Sequence, residues 1–137
     1  MAVIRHLAIR CSDMEATRKF YEELIGWDFV GYRPGGRAVD LSDGTSNITL
    51  IQQPADCERP PQEEGSEYLH FGVIVDDLEA CQQRLEHAGA TFSRDNIKLR
   101  REFKPGTIAK QSFKVLDPDG NIVDVTANCK EWRGSKI

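Results

Sequence analysis

Short alternating stretches of apolar and polar residues, broken by two segments of helical period, run through this chain. Residues 3–10 alternate around His6 and predict a strand. Ser12 is placed to cap a helix over about 13–25, and Glu15 three positions on completes a capping box. Met14, Phe20, Tyr21, Leu24 and Ile25 form its apolar side, and Gly26 ends it. Residues 27–32, 37–41 and 47–52 predict three more strands, joined by turns at Pro34-Gly35-Gly36 and Asp43-Gly44. The order is βαβββ. Residues 54–67 are polar, acidic and proline-rich and predict a linker. A second strand–helix unit follows. His70 opens a strand, Asp76 with Glu79 repeats the cap, and a helix over about 77–88 stops at Gly89. Phe92 then matches Phe29, with one residue fewer at the helix end. Residues 110–116 and 122–126 predict strands around the turn Asp117-Pro118-Asp119-Gly120.

The two halves are related by an internal repeat. His6 and His70 are 70 − 6 = 64 apart, and the same offset maps Asp13 on Asp77, Glu15 on Glu79 and Ala16 on Ala80. The last strands match with 124 − 49 = 75, which pairs Thr49 with Asp124. His6, Thr49, His70 and Asp124 thus hold equivalent places. A lone histidine at a strand start is ordinarily a satisfied residue at the edge of the core; two at repeat-equivalent places point to chemistry.

Composition narrows the classes. A chain of 137 residues makes one domain, with module one at about 1–53, the linker, module two at about 68–128 and a tail at 129–137. The net charge of −4 gives no basis for binding nucleic acid or an anionic membrane. No run of about eighteen apolar residues could span a bilayer. The N-terminus enters a strand without a signal-like apolar region, so the expected location is cytoplasmic. Cys11, Cys57, Cys81 and Cys129 form no CxxC pair and read as reduced thiols, two of them core filler. His87 falls near the end of the second helix, where the helix dipole favours a cation, and reads as a surface residue.

Two imidazoles and a carboxylate suit a divalent first-row metal. Thr49 is a poor ligand, so His6, His70 and Asp124 form a three-ligand set with open positions, as in Lewis-acid or oxygen-binding sites rather than closed structural ones.

His-Leu-Ala-Ile at 6–9, Phe20-Tyr21 with Leu24-Ile25-Gly26, and Asp117-Pro118-Asp119-Gly120-Asn121-Ile122-Val123-Asp124 resemble the vicinal oxygen chelate superfamily over about residues 3–126. That superfamily includes glyoxalase I, fosfomycin- and bleomycin-resistance proteins and extradiol dioxygenases. The resemblance implies an α+β fold: two βαβββ modules forming a half-open barrel around a metal site. It implies ligands on the first and last strands of each module, here His6, Thr49, His70 and Asp124, where the last is usually Glu. The ion would be Fe²⁺, Mn²⁺, Zn²⁺, Ni²⁺ or Co²⁺. The expected activity is lyase, isomerase or dioxygenase chemistry on a small organic substrate, and the first two would need a base from water, Asp124 or Lys110. Two alternatives stand beside it: a bleomycin-resistance-like binding protein with a vestigial site, and a thiol transferase resembling fosfomycin-resistance enzymes. The chain departs from glyoxalase I at Thr49, where that enzyme carries a ligand Glu or Gln. It departs from the fosfomycin enzymes at Ala8, where they carry threonine. Thr49, Tyr68 and Arg101 are the expected substrate-pocket residues, the last in a basic loop, Lys98 to Gly106, that reads otherwise as a solvated face. Trp27, Phe29, Phe71, Phe92 and Phe113 are expected in the core, and Trp132 anchors the tail. Small members of the family imply a homodimer.

Overall fold

Alternating strands and capped helices build two similar units, Met1–Pro60 and Pro61–Ile137. A computed structural model describes residues 2–57, 70–93, 109 and 111–134. Tyr68, Arg101 and Lys110, most of the linker and the whole basic loop lie outside the described residues.

In the first unit, β1 (His6–Cys11) leads into α1 (Met14–Lys19). The cap is Asp13 rather than Ser12: its carboxylate accepts from Ala16 N at 3.0 Å. Glu15 does not close a capping box but binds Arg18 and the Tyr32 hydroxyl. The helix does not stay α to its end. Phe20–Ile25 is wound as a π-helix, buries Phe20, Tyr21 and Ile25, and stops at Gly26, whose φ of 100° suits only glycine readily. Strands β2 (Asp28–Tyr32), β3 (Ala38–Ser42) and β4 (Asn47–Gln52) complete a sheet of order β1-β4-β3-β2. β1 and β4 are parallel, which the helix and two intervening strands make possible. Val39, Leu41, Ile48 and Leu50 are buried and carry the core of this unit.

The described residues of the second unit repeat the plan. β5 (His70–Ile74), α2 (Leu78–His87), β6 (Ser112–Leu116) and β7 (Ile122–Thr126) follow in order, and the sheet runs β5-β7-β6 with β5 and β7 parallel. Asp77, not Asp76, caps α2 through Ala80 N at 2.9 Å. Both observed caps are the pair that the 64-residue offset relates. Among the described residues, the counterpart of β2 is one bridge, Phe92 to Val115, repeating the pairing of Phe29 with Leu41. Phe113 and Phe92 pack together at 5.4 Å, and Trp27 stacks on Tyr21. Phe29 differs from expectation: it is 42% exposed, with the Arg18 guanidinium over its ring.

The tight turns before β4 and β7 use one device. Asp43 Oδ1 accepts from Thr45 N and Ser46 N; Asp117 Oδ1 accepts from Asp119 N and Asn121 N. Each carboxylate substitutes for backbone partners that a turn leaves open. All four cysteines are free thiols, and Cys11 and Cys81 are buried. Among the described residues, no helix is long and apolar enough to cross a membrane.

Candidate metal centre

Parallel pairing of β5 with β7 sets Gly72 opposite Asp124. Side chains two apart on a strand share a face, so His70 projects on the Asp124 side of the sheet. His70 Nε2 lies 3.8 Å from Asp124 Oδ2. That is too long for a hydrogen bond. It falls within the span of two ligands on one ion, since such N and O donors each sit about 2.0–2.2 Å from the metal. His70 Nδ1 is buried and has no hydrogen-bond partner among the described residues. Leaving such a nitrogen unsatisfied costs roughly 1–3 kcal/mol, a cost that folds keep chiefly where function requires it.

Two more side chains share this face. Lys114, 6% exposed, stands directly across from the 9%-exposed Asp124 on β6. A β-carbon added at Gly72 would come within 2.1 Å of Trp132 Cζ2. The indole of the tail therefore occupies the space over Gly72, between the positions flanked by His70 and Ile74. Imidazole, carboxylate and indole thus lie on one side of the second sheet.

The equivalent face of the first sheet carries a polar network. His6 pairs with Asn47 across β1 and β4, and Thr49 pairs with Asp40 across β4 and β3. Arg33 Nε donates to both oxygens of Asp40, at 3.1 and 2.9 Å, and its Nη2 donates to Thr49 Oγ1 at 3.0 Å. The Thr49 hydroxyl donates to Asp40 Oδ1 at 2.6 Å. Asn47 Oδ1 stands 2.7 Å from His6 Nδ1. Hydrogen bonds from Arg33 above all, then from Thr49 and Asn47, hold the Asp40 carboxyl at about 2, below its usual 3.8 and against the effect of burial.

Of the residues expected from sequence, His70 and Asp124 are brought together, and His6 and Thr49 share a face of the first sheet. Among the described residues no three His, Cys, Asp or Glu side chains gather in metal-binding range. The donor chemistry nonetheless fits a divalent first-row ion: imidazoles and a carboxylate, with His70 Nε2 and Asp124 Oδ2 3.8 Å apart. Sequence reading missed Arg33, Asp40, Asn47 and Lys114. The repeat carried the signal for one of them, because 114 − 40 = 74 and 115 − 41 = 74 place Lys114 where Asp40 stands.

Comparison with known proteins follows the fold. The chain is 30% identical over 130 residues to "Glutathione transferase FosA" of Serratia marcescens, covering 89% of this chain and 78% of that protein. It is 33% identical over 125 residues to "Glyoxalase domain-containing protein RDO1" of Mycosarcoma maydis, covering 89% of this chain and 66% of that one. Among solved structures, "Oxidase ChaP-H2" matches with a TM-score of 0.68 at 18% identity, over 93% of this chain and 94% of that one. The family model that matches residues 3–125 is the Glyoxalase/Bleomycin resistance protein/Dioxygenase superfamily. With that match over most of its length, a sequence relative at this level and the α+β architecture just described, the chain belongs to the Glyoxalase/Bleomycin resistance protein/Dioxygenase superfamily.

Proposed function

We propose that this protein is a metal-dependent enzyme whose ion is held by His6, His70 and Asp124 and whose substrate is a small, oxygen-bearing organic molecule. The observation that carries the reading is the His70–Asp124 pair, whose Nε2 and Oδ2 donors stand 3.8 Å apart on one face of the second sheet. His6 joins the set through the repeat, which gives it the place in β1 that His70 has in β5. A bound divalent ion would supply Lewis acidity toward the substrate oxygens. The chain's own residues do the rest. The Asp124 carboxylate brings negative charge to the face, and Lys114 brings a buried cation directly across from it, suited to an anionic oxygen of the substrate. The Trp132 indole offers a flat apolar wall on the same side. Lys110 and Asp124 are the candidate bases.

A second reading is thiol transfer to such a substrate, favoured by the 30% identity to a glutathione transferase. Protein purified without chelators should carry close to one first-row metal per chain, and His70→Ala should lose most of it. Metal-free protein that takes up none of the five candidate ions would overturn the proposal. Turnover of a panel of oxygen-rich substrates under air, under nitrogen and with added glutathione then separates oxygenase, lyase and transferase chemistry.

A further inference from the structure

The two histidines occupy equivalent places, yet their neighbours differ. His70 pairs in register with Ile122, which has no polar atom to offer its ring. His6 pairs with Asn47, whose Oδ1 lies 2.7 Å from His6 Nδ1. An amide can present either end, so the other contacts of Asn47 decide which one faces His6. The Asn47 amide also helps to lower the pKa of the Asp40 carboxyl, diagonally across β3 and β4. An ionised carboxylate only accepts, so Asn47 gives it the NH₂ end. The oxygen end is left for His6, whose Nδ1 is 2.7 Å away. An amide oxygen only accepts, so His6 Nδ1 must carry the hydrogen. Asp40 in turn is held by Arg33, whose Nε donates to both of its oxygens.

We propose that Asn47, oriented by the Arg33–Asp40 pair, fixes His6 in the Nδ1–H tautomer and so leaves the Nε2 lone pair free to act as the donor. Asn47 is a positioning residue: it acts on a metal or substrate only through His6. The inference rests on the reading of His6 as a ligand for its use, but the tautomer itself does not depend on a metal. A histidine held this way pays no tautomeric cost on binding, and partners of this kind are typically worth about 10–100-fold in metal affinity. His70 lacks the device, so the two ligands are prepared unequally.

The test is nitrogen-15 NMR of the histidine rings in metal-free protein, at a pH where the rings are neutral. The proposal predicts that His6 carries its proton on Nδ1, and that Asn47→Leu moves it toward Nε2, the tautomer an unconstrained histidine prefers. Cobalt titration should show Asn47→Leu weakening affinity by about 10–100-fold. A His6 proton on Nε2 in the parent protein overturns the inference whether or not the variants fold. A His6 proton on Nδ1 in a protein that binds no metal would leave the tautomer assignment standing and sink the metal reading instead.

Discussion

At the scale of single residues, Gly72 and Asp40 make the clearest demands. Gly72 has ordinary strand geometry; what excludes a side chain there is the indole of Trp132, 2.1 Å from where a β-carbon would stand. Gly72→Ala should therefore cost about 1–3 kcal/mol, the usual range for overpacking. The same change in a Trp132→Ala background should cost little, and a double-mutant cycle on denaturant unfolding measures the difference. Additive costs would mean that the indole does not sit over Gly72 in solution. Asp40 sets a pH dependence. Its folded pKa is lowered to about 2, chiefly by the Arg33 hydrogen bond, so it contributes stability that is present above its usual 3.8 and lost as pH falls toward 2. Asp40→Asn should flatten the acid limb of a stability-versus-pH curve in that window. The sequence shows Thr49 as a weak ligand at a repeat-equivalent position, and no more. That its hydroxyl is taken up by Asp40 and Arg33 depends on β3 and on a side chain reaching in from the turn before it, and no periodicity encodes those contacts.

At the scale of elements, the repeat reveals an irregularity and its cause. The strand starts keep an offset of 64, but Phe29 and Phe92 are 92 − 29 = 63 apart, so the first helix holds one residue more than the second. The extra residue is absorbed by π-winding over Phe20–Ile25, which lets Gly26 and β2 begin where the repeat needs them. Deleting the exposed Glu23 should then regularise the helix and leave the fold intact. Deleting Gln83 from the regular α2 should be far more damaging, because it rotates Leu85 off the core by about 100°. Melting temperatures of the two deletion variants check this; equal losses would contradict it. Strand bounds, by contrast, were legible: β4 and β7 fall at 47–52 and 122–126 as alternation and turn chemistry predict. The caps were missed by one residue. Ser12 and Asp13 are both good capping residues, and only the backbone conformation at Asp13 selects between them.

At the scale of the whole molecule, the repeat shows where the two modules diverge. Equivalent positions carry His6 and His70, Asn47 and Ile122, Thr49 and Asp124, and Asp40 and Lys114. One module spends these places on an Arg33–Asp40–Thr49 network that supports a histidine; the other spends them on a carboxylate, a buried lysine and an indole. Family and fold were readable because duplicated strand–helix signals reinforce one another. The reaction was not, because it turns on side chains such as Lys114 whose role appears only once the strand register is known. The register also sharpens what Thr49→Glu would do: it would set a second carboxylate beside Asp40, so lost stability is expected before any gain in metal affinity.

The most direct test of the metal assignment is the dissociation constant for Zn²⁺ or Co²⁺, measured by titration calorimetry on metal-free parent protein, Asp124→Ala and Asp124→Glu. The account predicts tight binding by the parent at one ion per chain, a loss of at least about tenfold in Asp124→Ala, and affinity kept or improved in Asp124→Glu, which restores the longer carboxylate. Equal affinity in all three proteins would contradict it.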